Sequence, residues 1–190
     1  MRGRIAAAAR RVFMEEGYGS VSMRRLANEV GCTPMTLYNY YDSKIDILRE
    51  LWGAVFKDVF VGVNQAAQKG KDASDRLDAM CAAYVRYWLD HPDHYRMVFM
   101  SAGVSQSEVS VFVEEDAITG RYGALFAAFA AAADRPSTEL SGHCEALICG
   151  LNGVAHSLIT ISGYPWTEAN TLVAIMVEGT ILSATANHGP

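Results

Sequence analysis

Apolar residues recur along this chain at intervals of three and four, the spacing that lines one face of an α-helix, and no stretch shows the period-two alternation of a strand. Ile5, Ala9, Val12 and Phe13 mark the buried stripe of a first helix that Gly17-Tyr18-Gly19 ends. Leu26, Ala27 and Val30 give a short second helix its inner face, and Leu37 anchors a short third one. Leu48, Leu51, Trp52, Val55, Phe56, Val59 and Phe60 then run through a long fourth helix until Lys69-Gly70-Lys71-Asp72 breaks the pattern. Leu77, Met80, Cys81, Tyr84, Val85 and Trp88 make a fifth helix, stopped at His91-Pro92, and HPDHYRMVFMSAG a short aromatic sixth ended by Gly103. Ser105-Gln106-Ser107-Glu108 predicts the cap of a seventh helix whose later part is the Ala-rich RYGALFAAFAAAADR. Leu147, Ile148, Leu151, Val154, Ala155, Leu158 and Ile159 form a broad stripe on an eighth. After Gly163-Tyr164-Pro165, Leu172, Ile175, Met176, Gly179 and Leu182 line a ninth. The expected fold class is all-α, with about nine helices.

The stretch from Ser22 to Lys44 is the most informative. Gly31-Cys32 supplies a tight turn, where glycine tolerates a left-handed backbone, and Thr33-Pro34 restarts a helix with a capping hydroxyl and a first-turn proline. Two helices joined in this way have the form of a helix-turn-helix, whose second helix enters the DNA major groove. At 100° per residue, with Leu37 inward, Thr33 and Tyr41 fall on the inner side. Met35 and Asn39 point outward, flanked by Thr36 and Tyr40 on one side and by Pro34 and Tyr38 on the other. That outer face contains no carboxylate, and its amide, hydroxyls, thioether and phenols suit base edges, thymine methyls and phosphate oxygens. An uncharged surface hairpin satisfies the bare pattern equally well. Ser43 and Asp46 form a capping-box-like start to the fourth helix, with Asp in place of Glu.

From Ile5 to Leu51 the chain resembles the N-terminal domain of the tetracycline-repressor (TetR) family of bacterial transcription regulators. The likeness lies in IAAAARRVFMEEGY, VSMRRLANEVG, the recognition-helix run TLYNYY and the closing DSKIDIL. Its most specific part is Leu37-Tyr38-Asn39-Tyr40-Tyr41-Asp42-Ser43-Lys44, in which Tyr40 stands where many members carry His and so cannot gain charge. The resemblance implies that Ser22 and Lys44, at helix N-termini, and Tyr38 hold phosphate. It implies that Arg24 reaches phosphate or a guanine edge. Thr33, Pro34, Met35, Thr36, Asn39 and Tyr40 would complete the DNA-binding surface. HPDHYRMVF and ALICGLNGVAHSL are more faintly similar to a C-terminal subgroup of the family, with Ile148 and Asn152-Gly153 where that subgroup often shows Trp and His-Gly.

Charge distribution agrees with a protein that touches DNA at one end. The 190 residues carry a formal net charge of -5 with a pI near 5.5, which argues against a general nucleic-acid coat or a polybasic membrane binder. Residues 1–50 hold 8 Lys and Arg against 6 Asp and Glu, leaving 8 against 15 for the remainder. Arg2, Arg4, Arg10 and Arg11 lie off the buried stripe of the first helix, where solvent explains most of them and phosphate some. Cys32, Cys81, Cys144 and Cys149 include no CxxC pair and are expected as buried, reduced thiols of a cytoplasmic protein. Met1 leads into an Arg-rich amphipathic helix and not into a signal peptide. The uncharged stretch between Glu145 and Glu168 has the length of a membrane span, but Asn152, His156, Gly163 and Pro165 favour a buried interface helix, so no membrane partner is expected.

Catalytic and metal chemistry lack a constellation, and no cofactor is expected. His91 and His94 are separated by a helix end, His143-Cys144 diverge, and Glu114-Glu115-Asp116 reads as a solvated face. Asn152 and His156, one turn apart on an apolar helix, together with Tyr84, Trp88, Tyr95, Phe99 and Met100, form the expected ligand-binding set for a small-molecule effector; core packing accommodates each singly. The last two helices, with Gly150, Gly153 and Gly179 permitting close approach, carry more apolar surface than a small domain covers. In the resembled family such helices pair across a homodimer, which would read a palindromic operator on double-stranded DNA. The expected organisation is a helix-turn-helix DNA-binding domain over residues 1–48 and a ligand-binding and dimerisation domain over 49–190. The expected function is that of a one-component repressor released by its effector. The alternative is a helical small-molecule-binding protein or enzyme that has lost DNA binding.

Overall fold

The computed structural model of the chain describes residues 1–100 and 117–186. They form nine α-helices and two short 3-10 turns, with no strand among the described residues: α1 (Arg2–Glu16), α2 (Met23–Val30), α3 (Pro34–Tyr38), α4 (Lys44–Ala67), α5 (Ala73–Asp90), α6 (Pro92–Phe99), α7 (Ala117–Ala132), α8 (Ser141–Thr160) and α9 (Ala169–Ala186). The expected Ser105–Glu108 cap, the Gly103 stop and the acidic run Glu114–Asp116 lie outside the described residues.

The chain divides into two compact units, Met1–Lys57 with Asp93–Ala117 and Asp58–Pro92 with Ile118–Pro190. In the first, Ile5, Ala9, Val12 and Phe13 of α1 are buried, as are Leu26, Ala27 and Val30 of α2 and Leu37 of α3. Local chemistry sets the helix ends. Ser22 caps α2 by accepting from the Arg25 N–H at 3.2 Å, Gly31 closes it at φ +74°, and the Cys32 N–H reaches back to the Ala27 carbonyl at 3.0 Å. Thr33 caps α3 by accepting from the Thr36 N–H at 3.2 Å. At the start of α4 the Ser43 hydroxyl donates to Asp46 at 2.6 Å, and Asp46 also pairs with Arg49 at 3.1 Å. The capping box thus takes a side-chain form, Asp being a methylene shorter than the Glu that reaches a backbone N–H. A buried hydrogen bond from Trp52 Nε1 to the Met97 carbonyl, 3.0 Å, attaches α6 to α4 within this unit, and the Phe56 and Phe99 rings meet edge to face at 6.5 Å.

The second unit packs the later turns of α4 (Val59, Phe60 and Val63) with α5, α7, α8 and α9. All six residues of the expected α5 stripe are buried. The stripe of α9 that carries Leu172, Ile175, Met176, Gly179 and Leu182 is largely left uncovered within the chain: Ile175 and Leu182 are 63% and 59% exposed and Met176 lies against Gly150, while Val173, Val177 and Ala184 face the core. Apolar residues occur on every face of the helix, so periodicity could not choose between them. The thiols also divide, because Cys81 and Cys144 are buried, Cys32 is half-buried and Cys149 is exposed on α8. Burial pushes the Cys81 thiol well above its ordinary pKa, with Asp78 adding to the effect. Of the three expected close approaches, Gly150 makes one: a Cβ there would stand 2.6 Å from the Met176 sulfur. Gly153 and Gly179 face open space within the chain.

Candidate functional site

The helix-turn-helix presents the expected outward face. Leu37 and Tyr41 are buried beneath it, while Met35, Tyr38 and Tyr40 are 73%, 48% and 38% exposed. Asn39, Ser22 and Arg24 are exposed as well, and Pro34 and Thr36 are half-buried. Helix α3 itself ends at Tyr38. Asn39 nonetheless keeps a helical backbone (φ -69°, ψ -12°) and donates its N–H to Met35 at 3.2 Å, so the reading surface continues past the helix. Thr33, expected on the inner side, is exposed. As the cap it has an extended backbone, φ -79° and ψ 154°, to which the 100° rule does not apply. The Ser22 and Thr33 hydroxyl oxygens accept the cap bonds; the Ser22 O–H keeps its donor capacity.

Adjacent arginines on α2 have opposite fates. Arg25 donates to Glu16 and Glu29, each at 2.6 Å, and Glu29 also pairs with Arg11. The hydrogen bond from Arg25, with that from Arg11, holds the Glu29 carboxyl below its usual pKa. No hydrogen bond or ion pair engages Arg24 among the described residues. The arginines of α1 are all held within the unit. Arg2 donates to Glu50 at 2.9 Å and lies 4.7 Å over the Tyr41 ring, Arg4 reaches the Val30 carbonyl at 3.3 Å, Arg10 meets His94, and Arg11 is in the Glu29 network.

Lys44 departs from its expected geometry. Its ammonium points inward, donating to the carbonyls of Tyr18 at 2.9 Å and Val21 at 3.0 Å, and sits 4.2 Å from the centre of the Tyr18 ring.

The expected ligand-binding set divides between the two units. Tyr84, Trp88 and Asn152 belong to the second unit, where the Tyr84 hydroxyl donates to Asn152 Oδ1 at 2.9 Å and lies 3.0 Å from the Tyr122 hydroxyl. With the Tyr84 proton committed to the amide, Tyr122 donates to Tyr84, forming a directed chain that ends on Asn152. Burial raises the Tyr122 pKa, partly offset by its bond to Tyr84. His156, a turn beyond Asn152, is exposed. Tyr95, Phe99 and Met100 belong to the first unit; Tyr95 is buried with its ring 4.8 Å from that of Phe99, and Phe99 and Met100 are exposed. Sequence reasoning missed Tyr122. The signal for it was one polar-tipped aromatic inside the Ala-rich run of α7. An open cavity of about 390 Å³ also lies in the second unit, lined by Phe126, Ala127, Thr138, Ser141, Cys144 and Glu145 among others.

An exposed, carboxylate-free helix held by a capped helical hairpin defines a helix-turn-helix protein with a helical body. Residues 5–51 match the family described as "Bacterial regulatory proteins, tetR family", and residues 77–178 match "Tetracyclin repressor-like, C-terminal domain". The chain belongs to the tetR family of bacterial regulatory proteins. It is 26% identical over 113 residues to the HTH-type transcriptional activator FasR of Mycolicibacterium smegmatis, covering 60% of this chain and 52% of that protein. The chain therefore matches about half the length of that curated relative. Among solved structures, it resembles a tetR-family bacterial regulatory protein from Rhodococcus RHA1, with a TM-score of 0.64 at 20% identity, covering 95% of this chain and 94% of that one. It also resembles the fatty acid degradation regulator FadR of Bacillus halodurans, with a TM-score of 0.71 at 14% identity, covering 95% and 94%.

Proposed function

We propose that this protein is a homodimeric transcription regulator. It binds a palindromic operator in double-stranded DNA through residues 1–48 and leaves it when a small-molecule effector occupies the body formed by residues 49–190. The observation that carries the reading is the exposed surface of Met35, Tyr38, Asn39 and Tyr40, with Thr36 half-buried among them, beside an uncommitted Arg24. A side-chain amide can bond adenine in bidentate fashion, and a guanidinium serves guanine or phosphate. Ser22 and Tyr38 are assigned to phosphate oxygens, and Pro34, Met35, Thr36, Asn39 and Tyr40 to the major groove. Thr33 takes the place of a cap at the groove edge.

Apolar surface left uncovered on α9 supports the dimer. This helix has the length and composition of a membrane span, with a mean hydropathy of 1.3 over 18 residues of which 17% are buried. Its exposed Ile175, Gly179 and Leu182 suit a second copy of the same helix across a two-fold axis, and a cytoplasmic protein has reason to cover them. The body's effector is assigned to the second unit near Tyr84, Trp88, Tyr122 and Asn152, where the two buried hydroxyls and the half-buried amide can orient a largely apolar molecule. Binding there weakens the operator complex only by as much as the effector prefers the DNA-incompetent state. Repression is the proposed outcome at a promoter-overlapping operator.

The test is selection of bound duplexes from a randomised DNA pool by the purified protein at fixed moderate salt. An enriched inverted repeat supports the reading and supplies a probe for effector screening. A folded dimer that enriches nothing overturns it.

A further inference from the structure

We propose that Lys44 is a positioning residue: it clips the first turn of α4 to the Tyr18–Val21 turn, and through it sets the N-terminus of α2, instead of holding DNA phosphate. The proposal rests on reading α2 and α3 as the DNA-contacting pair. Three observations carry it. The ammonium has three donors, and two are committed to the Tyr18 and Val21 carbonyls at 2.9 and 3.0 Å. The Tyr18 ring lies 4.2 Å from the same nitrogen, so its π-face adds to the attraction on that side. The anchoring points are themselves fixed, since Tyr18 and Val21 are buried and the Tyr18 ring packs edge to face on Phe13 at 5.5 Å.

Position in the chain gives the clip its consequence. The one backbone bond recorded across the turn, from the Val21 N–H to the Tyr18 carbonyl, is long at 3.4 Å, and the lysine binds both of its end carbonyls at once. Val21 is followed by Ser22, the α2 cap, and two residues later by Arg24. A displacement of the first turn of α4 therefore pulls on Val21 and moves the cap hydroxyl and the Arg24 guanidinium together. The later turns of α4 belong to the second unit, so this contact stands at the DNA-proximal end of the helix that runs through both. A lysine engaged in this way couples α4 to phosphate contacts made by other residues, and with two donors committed at most one N–H is left for a phosphate.

The experiment uses the full chain and its Lys44→Met and Lys44→Arg variants. In DNA-free protein, amide hydrogen exchange is followed at Val21 and at Arg25, whose N–H closes the Ser22 cap, with Phe13 as a core reference. Lys44→Met is expected to speed Val21 and Arg25 by about tenfold or more while Phe13 is unchanged, and Lys44→Arg to restore protection. On the selected duplex, Lys44→Met is expected to bind more weakly with the wild-type slope of log affinity against log salt, because no phosphate contact has been removed. Unchanged exchange at Val21 and Arg25, or a slope lower by about one, overturns the proposal. The wild-type ammonium gives a reading that needs no variant: its ¹⁵N–¹H signal should be protected without DNA and unmoved by the duplex, and an unprotected or DNA-shifted signal counts against the clip. If the protein binds no duplex, the exchange and ammonium measurements still decide the role of Lys44, and only the DNA reading falls.

Discussion

Arg24 and Arg25 are neighbours on α2, yet Arg25 is bound to Glu16 and Glu29 at 2.6 Å while Arg24 has no such partner among the described residues. Neutralising Arg25 leaves the exposed Arg24 as the unpaired cation in the first turn of the helix, beside the Ser22 cap. Arg24→Ala should therefore lower the slope of log affinity against log salt by about one, the signature of a lost phosphate contact. Arg25→Ala should leave that slope unchanged. Parallel salt titrations of the two variants on one duplex check the assignment, and equal slopes for both would refute it.

Glu29 links the same network to pH. Its hydrogen bonds to Arg25 and Arg11 lower its folded pKa below the unfolded value, which is near 4.3 for an ordinary Glu. The stability it contributes is thus fully present above the unfolded pKa and is lost as pH falls through the lower folded value. Glu29→Gln should remove this part of the acid dependence, so that variant and wild type converge in stability as the pH drops below about 4. Denaturant midpoints measured from pH 7 down to pH 3 test the sign; a gap that widens on acidification would contradict it.

Asn39 stands at the end of α3, exposed and with its backbone N–H already bonded to Met35. Its amide is therefore available to a base. Asn39→Ala should cost about 1–3 kcal/mol on the selected operator and relax preference at one position of each half-site. Repeating the duplex selection with the variant gives the answer. An equal loss on operator and random DNA would assign Asn39 to the backbone instead.

Much of this was legible in the sequence because punctuation and periodicity agreed. Gly31, Thr33 and Pro34 fixed the turn, and the apolar spacing of α1 and α5 named residues that are buried. On α9, by contrast, where apolar residues occur on every face, the period does not single out the inner one, and only the packing of Val173 and Val177 decides it. Lys44 is a long side chain whose partners lie elsewhere in the chain, at Tyr18 and Val21, so no local rule orients it; for Arg25 the i,i+4 rule reaches Glu29 but not the distant Glu16. The split between Asn152 and His156 is geometric: a four-residue spacing runs 40° past a full turn, enough at the edge of a stripe to leave one side chain half-buried and the other exposed.

The chain from Tyr122 through Tyr84 to Asn152 ends on a single amide oxygen. Asn152→Ala removes the acceptor and leaves the Tyr84 hydroxyl to find another in a buried site, which should cost about 1–3 kcal/mol. Tyr84→Phe keeps the ring but takes the acceptor from the Tyr122 hydroxyl and the donor from Asn152 Oδ1, and should cost at least as much, about 1–3 kcal/mol. Urea unfolding of both variants tests the order. A clearly smaller cost for Tyr84→Phe would show that the Tyr122 hydroxyl does not rely on Tyr84.

On α9 the two apolar faces separate folding from assembly. Val177 is buried within the chain, so Val177→Asp should destabilise the protein by about 3 kcal/mol or more through an unpaired buried charge. Ile175 and Leu182 are exposed within the chain, so Ile175→Glu with Leu182→Glu should leave the helical content and the chemical shifts of the first unit unchanged. If α9 pairs with its copy, the double variant places carboxylates of both subunits into one apolar seam and should sediment as a monomer. A monomer offers one reading head, so its affinity for a full palindrome should fall towards that for a half-site. Sedimentation velocity and titration against full and half-site duplexes measure the two effects separately. A double variant that stays dimeric would move the interface off this face of α9. A monomer that keeps full palindrome affinity would sever dimerisation from operator reading.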